Sequence, residues 1–452
     1  MALRPSPSDP VRCGCCRATC RTPRNDPKPG PSVSSSSAYA RRGRWRNSSG
    51  TARNVMRWFT RLTCRCATSP PIYRRFSRRS TTMRLHAYVH PAGTCTRARG
   101  DVPVIDIHSH NVPCGWPDLQ AETGGDGPWP WLRATSEREA MIMLGEQEFR
   151  AIDDRCWNAA ARLADMDADG VDLQVVSPTP VFFSYHRSVA ESARIAAIFN
   201  DLAAQMCAEA PDRLVPFCQV PLADPEAACR ELDRCLANGH AGVEIGNHVG
   251  DRDLDDPGVV EFLQHCASVG APVFVHPWDM PTTPRTARWM AQWLVGMPAE
   301  THLSVLAMIL GGVFDQVSPE LRICFAHGGG SFAMWLGRTE NAWHSRPDLV
   351  GVSQLPPSAY LDRFSVDSVV FDEPALRLLV DTMGADRVMM GSDFPYPLGE
   401  RPAGSVVRTS TFLCEDDRDA ILGGNAARWL DGSTDRVQQT AATTGTPMEA
   451  QV

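Results

Sequence analysis

The sequence predicts an α/β fold, a TIM-like (β/α)8 barrel with a lid inserted after the first strand. Three observations lead there. Eight short apolar runs recur between residues 103 and 392, each continuous rather than alternating, as strands buried on both faces must be. Longer amphipathic stretches separate them, and strand-then-helix repetition over roughly 330 residues is the pattern of one parallel barrel. No G-x-G-x-x-G follows any of these runs, which disfavours an open doubly wound sheet.

Taken in order, the predicted strands are 103–107, 171–177, 214–220, 241–246, 272–276, 321–327, 363–368 and 387–392. Val, Ile, Leu and Phe dominate them, and polar or Gly/Pro-containing turns bound them. Helical spacing is clearest at 189–209, 225–237, 258–269, 299–314, 373–384 and 416–423. A connection of some 45 residues, carrying Trp116, Trp129 and Trp131, separates the first strand from a helix near 156–168. Loops of that length inside a compact domain are usually functional, so it is read as a lid.

Charge divides the 452 residues into unlike parts. The formal net charge is −7, but residues 1–100 hold 20 Arg, one Lys and two acids, a net of +19. The remainder carries −26. Three segments follow: a basic N-terminal extension over 1–100, the barrel over 101–432 and a polar tail over 433–452. The extension is expected to be disordered or read from a start codon placed too early, and its Arg- and Ser-rich composition also fits an organellar transit peptide. Cys13, Cys15, Cys16 and Cys20 match no standard zinc spacing. Nine cysteines scattered singly from Cys114 to Cys414 suit a reducing compartment, and a cytoplasmic location is expected.

An acidic body argues against nucleic acid as partner, since phosphate binding needs a basic footprint. No uninterrupted apolar run reaches 18 residues, so no membrane partner is expected. The only lysine is Lys28, in the extension. The body therefore has no Schiff-base lysine, no P-loop and no carbamylated lysine to bridge two metals.

Chemistry-bearing residues gather at the strand ends, where barrel enzymes place their sites. The first strand runs into Ile107-His108-Ser109-His110, and positions i and i+2 of a strand point the same way. The fifth strand ends at His276, the sixth at His327 and the eighth at Asp393. Three imidazoles and a carboxylate converging on the mouth suit one divalent ion with a coordination position left for water. Three His and one carboxylate accept several ions.

The runs IDIHSHNVP (105–113), SPTPVFFSY (177–185), VFVHPWDM (273–280), WLVGMPAET (293–301), CFAHGGGSF (324–332) and GSDFPYPLGE (391–400) carry a resemblance. Together they resemble the 2-amino-3-carboxymuconate-6-semialdehyde decarboxylases, a zinc-dependent, non-hydrolytic branch of the amidohydrolase superfamily. The resemblance covers about 103–430 and leaves out the extension. It implies one Zn2+ per subunit held by His108, His110, His276 and Asp393. It makes His327 the catalytic histidine that activates the metal-bound water, with Asp393 also at the reacting centre. Arg150 and Arg338 become the arginines that hold substrate carboxylates, Arg338 being supplied across a homodimer interface. Trp293, Met280 and Tyr396 become pocket walls around a small dicarboxylate substrate.

Two departures stand out. Tyr396 occupies a place where the family usually has Phe, which is expected to make that wall more polar. Glu146 and Glu148 lie where a lysine tends to precede the arginine. The expected reaction releases CO2 and 2-aminomuconate semialdehyde, as in tryptophan breakdown by the kynurenine pathway. A sibling decarboxylase of a hydroxybenzoate and a metal-dependent hydrolase on the same barrel are the alternatives. His186, His240, His248, His265, His302 and His344 have no motif support and are read as surface or helix residues. Asp367 and Asp279, near strand ends, can orient a ligand imidazole or cap a turn.

Overall fold

The computed structural model describes residues 102–123, 129–280 and 282–431. The expected N-terminal extension and C-terminal tail lie outside the described residues. Eight strands form one parallel sheet: β1 (Ile105–Asn111), β5 (Leu173–Pro178), β6 (Leu214–Cys218), β7 (Gly242–Gly246), β8 (Val273–His276), β9 (Ile323–Phe325), β10 (Ser365–Asp367) and β11 (Val388–Met389). Each overlaps one predicted run. The sheet closes on itself: Ile107 N donates to Met390 O at 3.0 Å, Asp393 N to His108 O at 2.8 Å and His110 N to Phe394 O at 2.7 Å. The segment after β11 thus takes the place beside β1 that completes a barrel.

A helix follows each strand: α1 (Ala159–Asp169), α2 (Val189–Cys207), α3 (Pro225–Ala237), α4 (Pro257–Ser268), α5 (Met297–Leu310), α6 (Phe332–Ser345), α7 (Glu373–Met383) and α8 (Asn425–Leu430). Local chemistry sets their starts. Asp224-Pro225 and Asp256-Pro257 each pair a capping carboxylate with a proline whose missing N–H costs nothing in the first turn. Ser188 and Glu191 cap one another at the start of α2. The barrel interior is filled by Ile105, Ile107, Val175, Val215, Phe217, Phe274 and Met389, with Trp429 and Leu430 of α8 closing one end. A larger apolar layer lies between sheet and helices.

The long connection holds structure that periodicity did not predict. It folds as an antiparallel meander of β2 (Pro130–Ala134), β3 (Glu139–Leu144) and β4 (Gln147–Asp153). Trp129, Ile142 and Ile152 from this insertion pack with Val112, Phe182, Phe199 and Tyr396 of the barrel. The insertion is therefore seated on the mouth through its own apolar face.

One helix bears on the membrane expectation, and one histidine expectation needs correction. The helical stretch Gln292–Leu310 is, among the described residues, long and apolar enough by length and composition to cross a membrane. Glu300 and His302 interrupt it, so no unbroken apolar run was visible in the sequence. Its Val305, Met308 and Ile309 are fully buried in the barrel's outer layer. His240, read as a surface or helix residue, is also fully buried. Its Nδ1 donates to Cys235 O at 3.1 Å, and burial pushes the imidazole down to about 4.

His240 therefore stays neutral in the fold when the unfolded chain, with an ordinary value near 6.5, is protonated. Stability from this group is intact above pH ~6.5 and drains away between pH ~6.5 and ~4, by on the order of 3 kcal/mol. Melting temperature against pH is expected to fall less steeply over that window for His240→Asn than for the parent. Parallel curves would refute the assignment.

Candidate metal centre

His108 and His110 sit on β1 two residues apart and face the same way, while β8 delivers His276 at its last position. Asp393 follows β11 in the left-handed region, at φ 59°, a conformation held by the Asp393 N to His108 O bond. Donor atoms of His108, His110, His276 and Asp393 all lie within 4.8 Å of one another.

Hydrogen bonds fix which nitrogen faces the centre. His108 Nδ1 meets Asp367 Oδ2 at 2.6 Å, His110 Nδ1 meets Pro178 O at 3.3 Å and His276 Nδ1 meets Pro277 O at 2.9 Å. Each oxygen accepts the Nδ1 proton, which leaves the Nε2 lone pairs pointing inward. Consequently His108 Nε2 and His110 Nε2 stand 3.2 Å apart, with Asp393 Oδ1 at 3.6 and 3.2 Å from them. Four acceptors facing one another in a buried space repel unless a cation lies between them. Burial pulls the His108 imidazole down, yet Asp367, Asp393 and Asp106 together raise it above its ordinary value. Burial and the neighbouring rings lower His276 well below its own. The site thus asks for positive charge, with His110 and His276 lowered toward the neutral form that binds it, and the residues fit a divalent metal ion.

His327 stands beside this set. Its ring centroid is 5.1 Å from those of both His108 and His276, and its Nε2 is 4.0 Å from Asp393 Oδ2. The following Gly328, Gly329 and Gly330 all have positive φ. A Cβ on Gly330 would come within 2.2 Å of Pro298 O, so the run is close backbone packing at the site.

A family model described as Amidohydrolase matches residues 105–432. The chain belongs to the amidohydrolase family. Among its relatives, 2-amino-3-carboxymuconate-6-semialdehyde decarboxylase of Dictyostelium discoideum is 40% identical over 328 residues, 72% of this chain and 91% of that one. The Caenorhabditis elegans protein of the same name is 32% identical over 381 residues, 72% of this chain and 94% of its own. A gamma-resorcylate decarboxylase from a Rhizobium species is 29% identical, covering 60% and 87%. This amidohydrolase is therefore a metal-dependent decarboxylase. The fold is shared with Metarhizium anisopliae IDCase (TM-score 0.63, 24% identity, 75% of this chain and 98% of that one).

The rim of the decarboxylase site is built partly by the insertion. Arg150, on β4, holds its guanidinium 4.4 Å over the Tyr396 ring, and that ring lies 5.5 Å from His110. Tyr396 is turned otherwise than expected. Its hydroxyl meets Thr179 Oγ1 at 2.5 Å, and Thr179 donates to Asn111 O. The extra oxygen is consumed inside the wall, so the face offered to a ligand is the aromatic ring. Tyr396→Phe is therefore expected to cost about 0.5–1.5 kcal/mol of stability and leave KM nearly unchanged. A several-fold KM change with stability intact would contradict this orientation.

The two glutamates beside Arg150 also resolve. Glu146 and Glu148 are exposed, and Glu148 pairs with Arg133. Met280 is buried under the turn at Gly296, Trp293 is half-buried on that turn, and Arg338 is exposed on α6 beside exposed Met334 and Trp335.

Supporting residues hold the donors in place, Asp367 among them as one of the two roles read from the sequence and Arg162 and Gln174 without any sequence signal. Asp367 grips His108, and its second oxygen accepts from Gly328 N at 2.8 Å and Val369 N at 3.1 Å, settling it as an orienting group. Arg162, fully buried, donates to Gln174 Oε1 at 2.8 Å, Ser109 Oγ at 3.1 Å and the His110 carbonyl. Gln174 in turn donates to Asp106 Oδ2 at 2.8 Å, which also accepts from Ser392 Oγ at 2.5 Å. This chain of bonds ties the histidine-bearing strand to the residue preceding Asp393. An arginine in an amphipathic helix gives no sequence signal that it points inward.

Proposed function

We propose that the chain is a zinc-dependent decarboxylase of 2-amino-3-carboxymuconate-6-semialdehyde, working as a homodimer in the cytoplasm. The observation that carries the reading is the placement of Arg150 over Tyr396, beside His110 at the rim of the donor set. A guanidinium there can fork onto a substrate carboxylate. The 40% identity to a relative of that name supports the substrate. A bound ion would be held by His108, His110, His276 and Asp393, and would supply Lewis-acid polarisation and an acidified water ligand.

The chain's own residues supply the rest. Arg150 fixes one carboxylate so that the C–CO2 bond is presented at the centre. As that bond breaks, its electron pair remains on the substrate carbon and CO2 leaves. One proton must then reach that carbon. His327 is held neutral because burial and His108 push it down to about 4, so one ring nitrogen can accept a proton and pass it on. The insertion packed on the mouth limits access of bulk water.

The homodimer is supported by exposed apolar residues, Met334 and Trp335 one turn before Arg338 on α6 and Leu294 and Val295 just before α5. Arg150→Ala and Arg338→Ala are each expected to lose most activity. Mixed and refolded together, they are expected to recover part of it, because one site in a mixed dimer regains both arginines. No recovery in a dimer of proven mixed composition would count against a shared site.

The direct experiment follows ultraviolet absorbance of 2-amino-3-carboxymuconate-6-semialdehyde with the zinc-loaded protein. Loss of absorbance with release of CO2 supports the proposal, and no turnover by a metal-replete dimer refutes it. The relatives named gamma-resorcylate decarboxylase favour a second reading, a hydroxybenzoate substrate. That reading is preferred if CO2 comes only from the aromatic acid and Arg150→Ala hardly matters.

A further inference from the structure

Three polar side chains inside the barrel are absent from the mechanism above. Ser177 is paired in register with His110 on the neighbouring strand, so the two side chains share the inner face. Glu244 is paired with Phe274, whose ring belongs to the inner core and lies 4.9 Å from His108. Gln219 comes two residues after the inward Phe217. All three are essentially unexposed. Ser177 Oγ, both amide atoms of Gln219 and both carboxyl oxygens of Glu244 have no hydrogen-bond partner among the described residues.

Residues of the helix layer, the inner core and the mouth border them. Asn200, from α2, accepts from Gln219 N at 2.9 Å and donates to Gln219 O at 2.9 Å, which holds that backbone from the helix side. Phe217 and Phe274 pave the side toward the apolar core. On the mouth side, Gly246 leaves room for Tyr185: a Cβ there would stand 2.8 Å from the ring, and Gly246 N donates to the hydroxyl at 3.0 Å. Phe183 stacks on Tyr185 at 5.4 Å.

Five unpaired polar atoms on three adjacent strands are too costly to leave dry. An unpartnered buried amide or hydroxyl costs a few kcal/mol, and an unpaired carboxylate far more. Among the described residues no arginine or histidine side chain pairs with either Glu244 oxygen. We propose that Ser177, Gln219 and Glu244 form a water-binding pocket on the barrel axis beside the metal donors, in which Glu244 is a neutral, hydrogen-bond-donating acid. Water there receives the carboxyl proton and joins the Gln219 amide to the Ser177 hydroxyl, giving each molecule the two to four partners that buried water needs.

The consequence for the site, resting on the metal reading above, is that Asp393 remains the sole negative group among the inward donors, which matches one divalent ion rather than two. Glu244 is a positioning residue: it sets the charge and hydration behind the donor set without touching substrate.

Infrared difference spectra of metal-free parent and Glu244→Gln protein at neutral pH test the protonation directly. The parent is expected to show the C=O stretch of a protonated carboxyl that Glu244→Gln lacks, and a carboxylate band in its place would overturn the proposal. A crystal structure of the metal-free protein is expected to show water bridging Glu244, Gln219 and Ser177, and a dry pocket would overturn it equally. Because Gln is also neutral and both donates and accepts, Glu244→Gln is expected to keep metal affinity within about two-fold. A loss of more than about ten-fold, the scale of a group that acts on the metal by charge, would overturn it. None of these readouts depends on turnover, so failure of the proposed substrate leaves them interpretable.

Discussion

Replacing His276 by alanine is expected to strip the metal from the site and lower kcat/KM by well over about 100-fold, beyond the 10- to 100-fold that losing an orienting partner costs. His276 is the donor brought from the far side of the barrel, on β8, whereas His108 and His110 share one strand. Without it two imidazoles and a carboxylate remain, and one side of the ion is left to solvent. The loss should appear first as metal-to-protein stoichiometry after gel filtration, then as weaker competition against a chelator. Asp367→Asn is the graded comparison. It keeps the volume but replaces the oxygen facing His108 Nδ1 at 2.6 Å with a weaker partner or an opposing N–H, and should weaken metal by 10- to 100-fold only. A His276→Ala protein that retained a full equivalent of metal would remove His276 from the donor set.

How much of this was legible in the sequence depends on what each segment is buried against. All eight barrel strands could be seen because both faces of each are covered, so their apolar runs are continuous. Their ends could be read for the same reason: His108, His276 and Asp393 are polar residues terminating apolar runs. The insertion could not. In β3 and β4 the exposed residues Glu139, Gln147, Glu148 and Ala151 alternate irregularly with buried ones, and a bulge between Ile142 and Met143 breaks the register. Helix α6 carries Met334 and Trp335 outward, so its apolar positions do not mark a core-facing stripe. Glu244 and Arg162 lie beyond pattern reading altogether: a single acid in GVEIG looks like an exposed alternation, yet it faces the barrel axis.

The Tyr396 hydroxyl shows a related limit. Composition says that a tyrosine in place of phenylalanine adds polarity to a wall. Only the partner decides where that polarity goes, and Thr179 takes it out of the site. The glutamates near Arg150 follow the same logic, since Glu148 spends its charge on Arg133 at the surface. Substitutions that look like changes of substrate are in both places absorbed by neighbours. The electrostatics around Arg150 therefore keep the sign that a substrate carboxylate requires.

The second large effect separates proton handling from metal binding. His327→Asn is expected to lower kcat by about 10²- to 10⁴-fold, the usual contribution of a positioned acid–base group. Metal content should stay at the parent's level, because His327 is not among the four converging donors. Among the described residues its Nδ1 has no partner and its Nε2 faces Asp393 at 4.0 Å, so asparagine removes a proton carrier without breaking a bond that holds the fold. Melting temperature should therefore change little. The pH profile carries the sign. With the imidazole held near 4 by burial and by His108, the parent keeps the neutral form at pH 7 and loses activity only as pH falls toward that value. A bound cation at the neighbouring donors pushes in the same direction. In His327→Asn this acid limb should vanish along with the rate. If kcat fell in step with metal occupancy instead, His327 would be a ligand, and the proton would have to come from elsewhere in the site.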